Sequence, residues 1–164
     1  MAVRGSESFP ARIMNPGVTA LMRFAQFGSR AARSEAQRAE MRGVTGALNV
    51  EFTGVDGGAW HMNFQDGAIS MAAGLAAAPR ATVRISTEDF MALVAGDQTM
   101  SVARMTGKIR AKGDGGFGII FGGLVGSLQN AQRVPGWRGS LARLFIRRAL
   151  RKGRYVPRAT QRPS

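Results

Sequence analysis

Three consecutive runs between residues 46 and 71 constrain the fold of this chain more than any other feature. GALNVEFT and AWHMNFQ carry apolar side chains at every second position, which is the period of a half-buried β-strand. Asp-Gly pairs at 56–57 and 66–67 divide the runs, and such pairs supply the positive φ angles of tight hairpin turns. The sequence therefore predicts a three-stranded antiparallel meander that ends near Met71.

Two more alternating runs, ATVRIS (81–86) and KIRAK (108–112), extend this sheet to five short strands with one solvent-facing side. The helical patterns cover Asn15 to about Gly43 with a bend at Gly28, Ser86 to Gly96, 99–105 and 115–128. Helices that precede, interrupt and follow the strands favour the α+β class. The predicted fold is a five-stranded, mainly antiparallel sheet with helices packed on one face.

The last of these helices contains an unusual amount of glycine, within GDGGFGIIFGGLVGSLQ (113–129). At about 100° per residue its large side chains form one arc, and glycine fills most of the opposite arc. Interior glycine costs about 1 kcal/mol relative to alanine, so some property of the folded protein must offset it. Two explanations stay open. Gly118, Gly122 and Gly126 let another backbone approach closely, or the helix is a mobile wall that closes an apolar cavity.

Charge is distributed unevenly along the 164 residues, and this divides the chain. Residues 133–164 contain 10 of the 23 lysines and arginines but none of the 10 acidic residues. We therefore predict a flexible N-terminus over 1–14, one domain over 15–130 and a basic C-terminal extension over 131–164. The first residues lack the apolar core of a secretory signal. The absence of cysteine fits a reducing compartment, so a cytoplasmic location is expected.

Residues that carry catalysis or bind metals are scarce in this sequence. His61 is the only histidine, it occupies an outward position of a predicted strand, and no cysteine accompanies it. Asp56 and Asp66 belong to predicted turns and are not interpreted as a catalytic pair. The glycine-rich segments do not follow the spacing of dinucleotide or phosphate loops. We predict a protein without catalytic residues, metal or cofactor.

Residues 45–130 resemble the sterol carrier protein 2 family of lipid-binding domains. The resemblance is carried by GAWHMNFQDGAISM, by PRATVRISTEDFMALVAGD and most specifically by MTGKIRAKGD, which leads into the closing helix. It implies a five-stranded sheet, helices on one face and an apolar tunnel between them that holds fatty acyl chains, sterols, phospholipids or isoprenoids. The middle and closing helices would then provide the lipid-binding wall: Phe90, Met91, Val94, Met100, Val102, Met105, Phe117, Ile120, Phe121, Leu124 and Val125.

The basic extension contains an amphipathic helical pattern in GWRGSLARLFIRRALRKGRY (136–155), where Trp137, Leu141, Leu144, Phe145 and Ala149 recur at helical spacing. This composition is typical of helices that lie on anionic membranes. The predicted membrane-docking residues are Trp137, Arg143, Phe145, Arg147, Arg148, Arg151 and Lys152. A partner protein is the main alternative. Nucleic acid is disfavoured, because few aromatic side chains could stack on bases and the apolar stripe would have no role.

Together these features predict a non-catalytic protein that binds a lipid and transfers or presents it at a membrane surface. Its expected partners are the lipid ligand and an anionic membrane, on which a cytoplasmic protein would dock peripherally. The alternative is a structural or accessory subunit of a membrane-associated complex, such as one that presents isoprenoid quinone intermediates. Either kind of subunit would dock through the basic extension, and a purely structural subunit would have its pocket filled by its own side chains.

Overall fold

The structure of the protein is a computed structural model that describes residues 14–31 and 35–158. The predicted flexible segment over 1–14 falls, except for Met14, outside these residues. The described helices are α1 (Pro16–Ala31), α2 (Glu35–Glu40), α3 (Thr87–Ala95), α4 (Met100–Met105), α5 (Gly115–Ala131) and α6 (Trp137–Lys152). The strands are β1 (Gly46–Thr53), β2 (Gly58–Gln65), β3 (Ala68–Ala73), β4 (Ala81–Ser86) and β5 (Ile109–Gly113).

The five strands form one sheet in the order β3-β2-β1-β4-β5. The β1–β4 pair is parallel and the other three pairs are antiparallel, so the sheet is mixed and mainly antiparallel, as predicted. Asp66 and Gly67 join β2 to β3 with φ angles of 46° and 82°. Positive φ at both central residues belongs to the two-residue hairpin turn that the Asp-Gly pair predicts.

One face of the sheet carries the core. The register places Val50 beside Trp60 on β2 and Val83 on β4, and all three side chains are buried. The rings of Phe52 on β1 and Phe90 on α3 lie 5.1 Å apart, edge to face, which joins the sheet to the helical layer. The predicted α+β fold, with helices packed on one face of the sheet, is confirmed.

The single helix that the sequence pattern predicts over 15–43 is described in two parts, α1 and α2. α1 begins after Asn15, whose side-chain oxygen accepts hydrogen bonds from the backbone amides of Gly17 and Val18, as an N-cap does. The helix continues through Gly28, where a bend was expected, and ends at Ala31. α2 follows over Glu35–Glu40, and residues 32–34 lie outside the described part of the chain.

α6 packs against α1 and joins the core, although the sequence pattern sets this segment apart as an extension. Ile146, Ala149 and Leu150 are buried in the same core cluster as the sheet residues. Gly17 of α1 lies so close to the backbone of α6 that a Cβ there would overlap the carbonyl oxygen of Ala149. The core therefore extends into the segment that follows residue 131.

Candidate functional site

α5 presents its large side chains to the sheet and to α3. Its buried residues are Phe117, Phe121, Leu124, Val125 and Leu128, which belong to the arc expected from the helical pattern. The ring centroid of Phe121 lies 6.2 Å from that of Phe90 on α3. The ring of Phe117 meets Phe64 of β2 edge to face at 5.7 Å. Aromatic contacts of this kind hold the inner face of α5 in place.

Most of the predicted lipid-binding wall lies in or beside this core. Its buried members are Phe90, Met91, Val94, Phe117, Phe121, Leu124 and Val125. Met100 and Ile120 are partly buried and pack against the same cluster. The structure thus brings these side chains together between the sheet and the helices. The tunnel that they are expected to enclose stays a prediction.

Val102 and Met105 of α4 lie at the surface and do not join this wall. Their side chains are 50% and 87% exposed, whereas Ala103 between them is fully buried. α4 spans only six residues, so its sequence contains too few turns to show which side faces the core. Packing against the sheet gives the inward position to Ala103, and the placement of Val102 and Met105 in the wall is therefore corrected.

The glycine arc of α5 faces open space in the described part of the chain. A Cβ placed at Gly126 would have no neighbour within 4 Å. At Gly118 and Gly122 the nearest atoms would be side-chain carbons of Ala111 and Met100, at 3.8 and 3.6 Å. Because side chains rather than a backbone lie nearest to these glycines, close backbone packing does not explain the glycine content of α5.

α6 differs from α5 in its outer side, which carries large apolar side chains, while its inner side combines small residues with Ile146 and Leu150. Gly139 and Ala142 are buried. Trp137 is 69% exposed, and Leu141 and Leu144 are also exposed. Ala149, which the predicted stripe includes, is buried against α1. The outward apolar stripe of α6 is therefore confined to the first half of the helix.

α1 adds an aromatic residue to this exposed surface. Phe24 stacks on Phe145 of α6 with ring centroids 5.1 Å apart, and Phe27 follows one turn later with 75% of its surface exposed. The two helices run antiparallel, because Gly17 at the start of α1 meets the far end of α6. Phe27 therefore lies towards the first half of α6. We define the apolar patch as Phe27, Trp137, Leu141, Leu144 and Phe145.

Phe27 was not among the predicted site residues. The apolar stripe that defines α1 in the sequence is its core-facing stripe, and Phe27 lies outside it. The available signal was the spacing of Phe24 and Phe27, three residues apart, which places two aromatic side chains on one side of a helix. Only the position of α6 shows that this side belongs to the apolar patch.

Four exposed basic residues occupy the second half of α6, and we call them the basic end: Arg147, Arg148, Arg151 and Lys152. None of the four takes part in the ion pairs found among the described residues. Arg143 differs, since its guanidinium donates to the carbonyl oxygen of Gln132 at 2.8 Å and to the hydroxyl of Ser140 at 2.9 Å. Arg143 thus joins α6 to the end of α5, instead of extending freely as a predicted docking residue would.

Residues 14–31 and 35–158 contain neither a candidate metal site nor a candidate membrane span. No three histidine, cysteine or carboxylate side chains gather there in a way that could hold an ion. No helix there is both long enough and apolar enough to cross a bilayer.

Comparison with known proteins identifies a family and a set of similar folds. Residues 24–125 match the model of the SCP-2 sterol transfer family. No curated protein matches the chain in sequence. The solution structure of palmitated SCP2L2 from Aedes aegypti is 20% identical, with a TM-score of 0.54, and the match covers 66% of this chain and 93% of that one.

Two other solved structures agree with this match. Sterol carrier protein domain 2 of Helicoverpa armigera is 20% identical, with a TM-score of 0.55 and coverage of 75% of this chain and 94% of that one. Sterol carrier protein 2 from Yarrowia lipolytica is 16% identical, with a TM-score of 0.53 and coverage of 74% and 96%. Identities this low show only that the fold is shared. The family model is a match in sequence, and it covers more than half of the chain. The chain belongs to the SCP-2 sterol transfer family.

Proposed function

We propose that this protein binds a lipid without acting on it chemically, and transfers or presents that lipid at an anionic membrane surface. The observation that carries the proposal is the exposed side of α1 and α6, where the apolar patch adjoins the basic end. A cluster of large apolar side chains in water marks an interaction surface. Membership of the SCP-2 sterol transfer family supports a lipid as the ligand.

The apolar patch and the basic end would contribute to docking through different forces. Full burial of one large apolar side chain is worth about 1.5–3 kcal/mol. Each basic residue near anionic headgroups adds about 1 kcal/mol, an attraction that salt screens. Trp137 suits the boundary between headgroups and acyl chains, because its ring is apolar and its N–H is polar. We therefore expect binding that weakens with salt and retains a component that salt does not remove.

The lipid would lie between the sheet and α5, where most of the predicted wall residues meet. The palmitated state of the Aedes aegypti protein supports an acyl chain as one class of ligand. Phe90 and Phe121 are fully buried here, so a ligand that enters between them must displace these rings. The open surroundings of Gly123 and Gly126 support outward movement of α5, since no described neighbour obstructs the helix on that side. α5 is thus the proposed mobile wall.

Vesicle flotation tests the docking part of the proposal. The full-length protein should float with phosphatidylcholine vesicles that contain phosphatidylglycerol, and much less with phosphatidylcholine alone. Combining Leu141→Gln with Leu144→Gln should weaken binding about 100-fold, the equivalent of about 3 kcal/mol for two partly inserted leucines. Both residues are exposed, so the Tm of the double variant should stay close to that of the unchanged protein.

Ile119→Gln provides the matched control for this experiment. Ile119 is an exposed aliphatic residue on a helix, but it lies on α5 and outside the apolar patch. An equal loss of binding in the control, or full binding by the double variant, would contradict the docking proposal. Deletion of residues 133–164 is a poorer test, because it also removes the buried side chain of Ile146.

Ligand binding is tested separately from docking. Native mass spectrometry of the purified protein should reveal a co-purifying lipid that denaturation releases, and a fluorescent fatty acid should compete for the same space. A protein that carries no lipid and takes up no fatty acid would rule out the carrier function.

The close packing of Phe52, Phe90 and Phe121 favours a second candidate, a subunit that docks on a membrane-associated protein complex with its interior already filled. Such a subunit would use the same apolar patch and basic end. It would remain unbound in flotation with protein-free vesicles and would contain no lipid. The same two measurements therefore separate the two functions.

A further inference from the structure

A polar cleft of about 770 Å³ lies beyond the end of α6, apart from the apolar patch. Its lining comes from the β1–β2 turn, the first part of α3, the segment 97–99 and the C-terminal segment 153–158, together with Asn15, Val102 and Lys108. This volume is typical of pockets that hold a small molecule. The cleft therefore has room for a ligand, and the proposed lipid function leaves it unassigned.

Three of the carboxylates that line the cleft are engaged by partners within the protein. Each accepts hydrogen bonds or an ion pair that ties two segments together. Asp56 accepts hydrogen bonds from the side chains of Asn15 and Thr87. Asp89 accepts a hydrogen bond from Ser86 and forms an ion pair with Lys108. Asp97 accepts hydrogen bonds from the hydroxyl of Tyr155 and the backbone amide of Arg158. Desolvation and the hydrogen bond to Asp97 raise the pKa of Tyr155, so its hydroxyl keeps the proton that it donates. These contacts shape the walls.

The charged side chains left for a ligand are Glu88, Arg154 and Arg158. All three line the cleft and are exposed, and none appears in the ion pairs of residues 14–31 and 35–158. The hydroxyl of Tyr155 and the backbone amide of Arg158 both donate to Asp97, which fixes the segment that carries Arg154 and Arg158 against the wall of the cleft. Two cations and one anion complement a ligand that carries a phosphate and an ammonium group.

The floor of the cleft connects it to the apolar interior. Met91 lines the cleft, is only 3% exposed and belongs to the hydrophobic core cluster. Its unbranched thioether side chain adapts to neighbours of different shape. A ligand with its polar end in the cleft could thus extend its apolar part past Met91 into the core.

We propose that this cleft binds the headgroup of a phospholipid that contains both phosphate and a primary ammonium group, as phosphatidylethanolamine does. Arg154 and Arg158 bind the phosphate oxygens, and Glu88 accepts hydrogen bonds from the ammonium group. The inference rests on the proposed function in one respect, because it places the acyl chains of the same lipid in the core.

Titration of the full chain with short-chain lipids tests this assignment. Dihexanoyl phosphatidylethanolamine should bind about tenfold more tightly than dihexanoyl phosphatidylglycerol, which has the phosphate but no ammonium group. Glu88→Gln should remove that preference. Arg154→Gln combined with Arg158→Gln should weaken the binding of both lipids. Arg110→Gln is the control, because Arg110 is an exposed cation on β5 outside the cleft.

Glycerophosphoethanolamine separates a lipid headgroup from a soluble phosphate compound. It should bind at least tenfold more weakly than the dihexanoyl lipid, since it lacks acyl chains. If glycerophosphoethanolamine and dihexanoyl phosphatidylethanolamine bind with equal affinity, the assignment to a lipid is overturned. If the two dihexanoyl lipids bind equally, the ammonium site is overturned. Fatty acid uptake and flotation by the Arg110→Gln control should remain unchanged, because Arg110 lies outside the cleft. If the unaltered protein neither takes up fatty acid nor floats with anionic vesicles, the proposed function is refuted instead.

Discussion

α5 and α6 are neighbours in sequence and nearly equal in length, with 17 and 16 residues, yet their outer sides differ in residue size. α5 places Phe117 and Phe121 in the core and glycine outside. α6 places Gly139 inside and Trp137 outside. The outer side of α5 therefore offers almost no side-chain surface to a partner, whereas that of α6 offers a large apolar one. The difference assigns ligand enclosure to α5 and docking to α6 in the proposed function.

The two helices also separate two uses of glycine. At Gly17 and Gly139 a Cβ would overlap the backbone oxygens of Ala149 and Val134, so glycine allows close approach around α6. At Gly123 of α5 a Cβ would meet nothing within 4 Å. The GxxxG spacing in α5 points to close packing, but the close packing occurs at isolated glycines elsewhere. A small-residue pattern therefore does not identify the helix that makes the tight contact.

A substitution on the inner side of α6 should change the stability of the protein more than any other substitution in this comparison. Ile146→Ala should lower the free energy of unfolding by about 2–5 kcal/mol, because Ile146 is fully buried in the core. Leu144→Ala, at an exposed position of the same helix, should change it by less than about 0.5 kcal/mol. Urea unfolding of both variants measures the difference. Equal effects would mean that α6 does not fold together with the rest of the core.

Substitutions on the outer side of α5 should increase the stability of the protein. Gly123→Ala combined with Gly126→Ala should raise the free energy of unfolding by about 1–2 kcal/mol, because alanine restricts the unfolded chain and both sites have room for a Cβ. Thermal unfolding detects the gain as a higher Tm. A lower Tm would show that the bare backbone at these positions is needed for the fold itself.

The smallest expected effect concerns the side of α5 that faces α4. A leucine introduced by Gly122→Leu would extend towards the Met100 methyl group, which lies 3.6 Å from the Cβ position. It should slow release of a fluorescent fatty acid roughly threefold, as an added contact of about 0.6 kcal/mol would do. Gly123→Leu, which points into open space, is the control in stopped-flow release measurements. Equal rates in all three proteins would leave α5 without a role in exchange.

Several elements could be predicted because their signal is contained in a few neighbouring residues. The β2–β3 hairpin needs positive φ angles at Asp66 and Gly67, and those residue types favour such angles wherever they occur. The large arc of α5 follows from its helical period alone. Which residues of α4 face the core could not be predicted in the same way. One and a half turns contain too little periodicity, and contact with the sheet places Ala103 inward.

The sequence by itself determined the strands, the β2–β3 turn, most of the helices and the family resemblance, since local backbone preferences and side-chain periods act over short distances. The Asp56-Gly57 pair does not adopt the positive φ angles expected of it, and Gly54 has that conformation instead.

The sequence did not determine which side of α6 faces inward, because Leu141 and Ile146 are both apolar and lie on different sides of that helix. Tertiary structure decided this, since Ile146 and Leu150 join the core where Ala149 lies against α1 at Gly17. The position of Phe27 in the apolar patch and the assembly of the cleft from segments far apart in sequence have the same cause, since only the packed chain brings distant residues together.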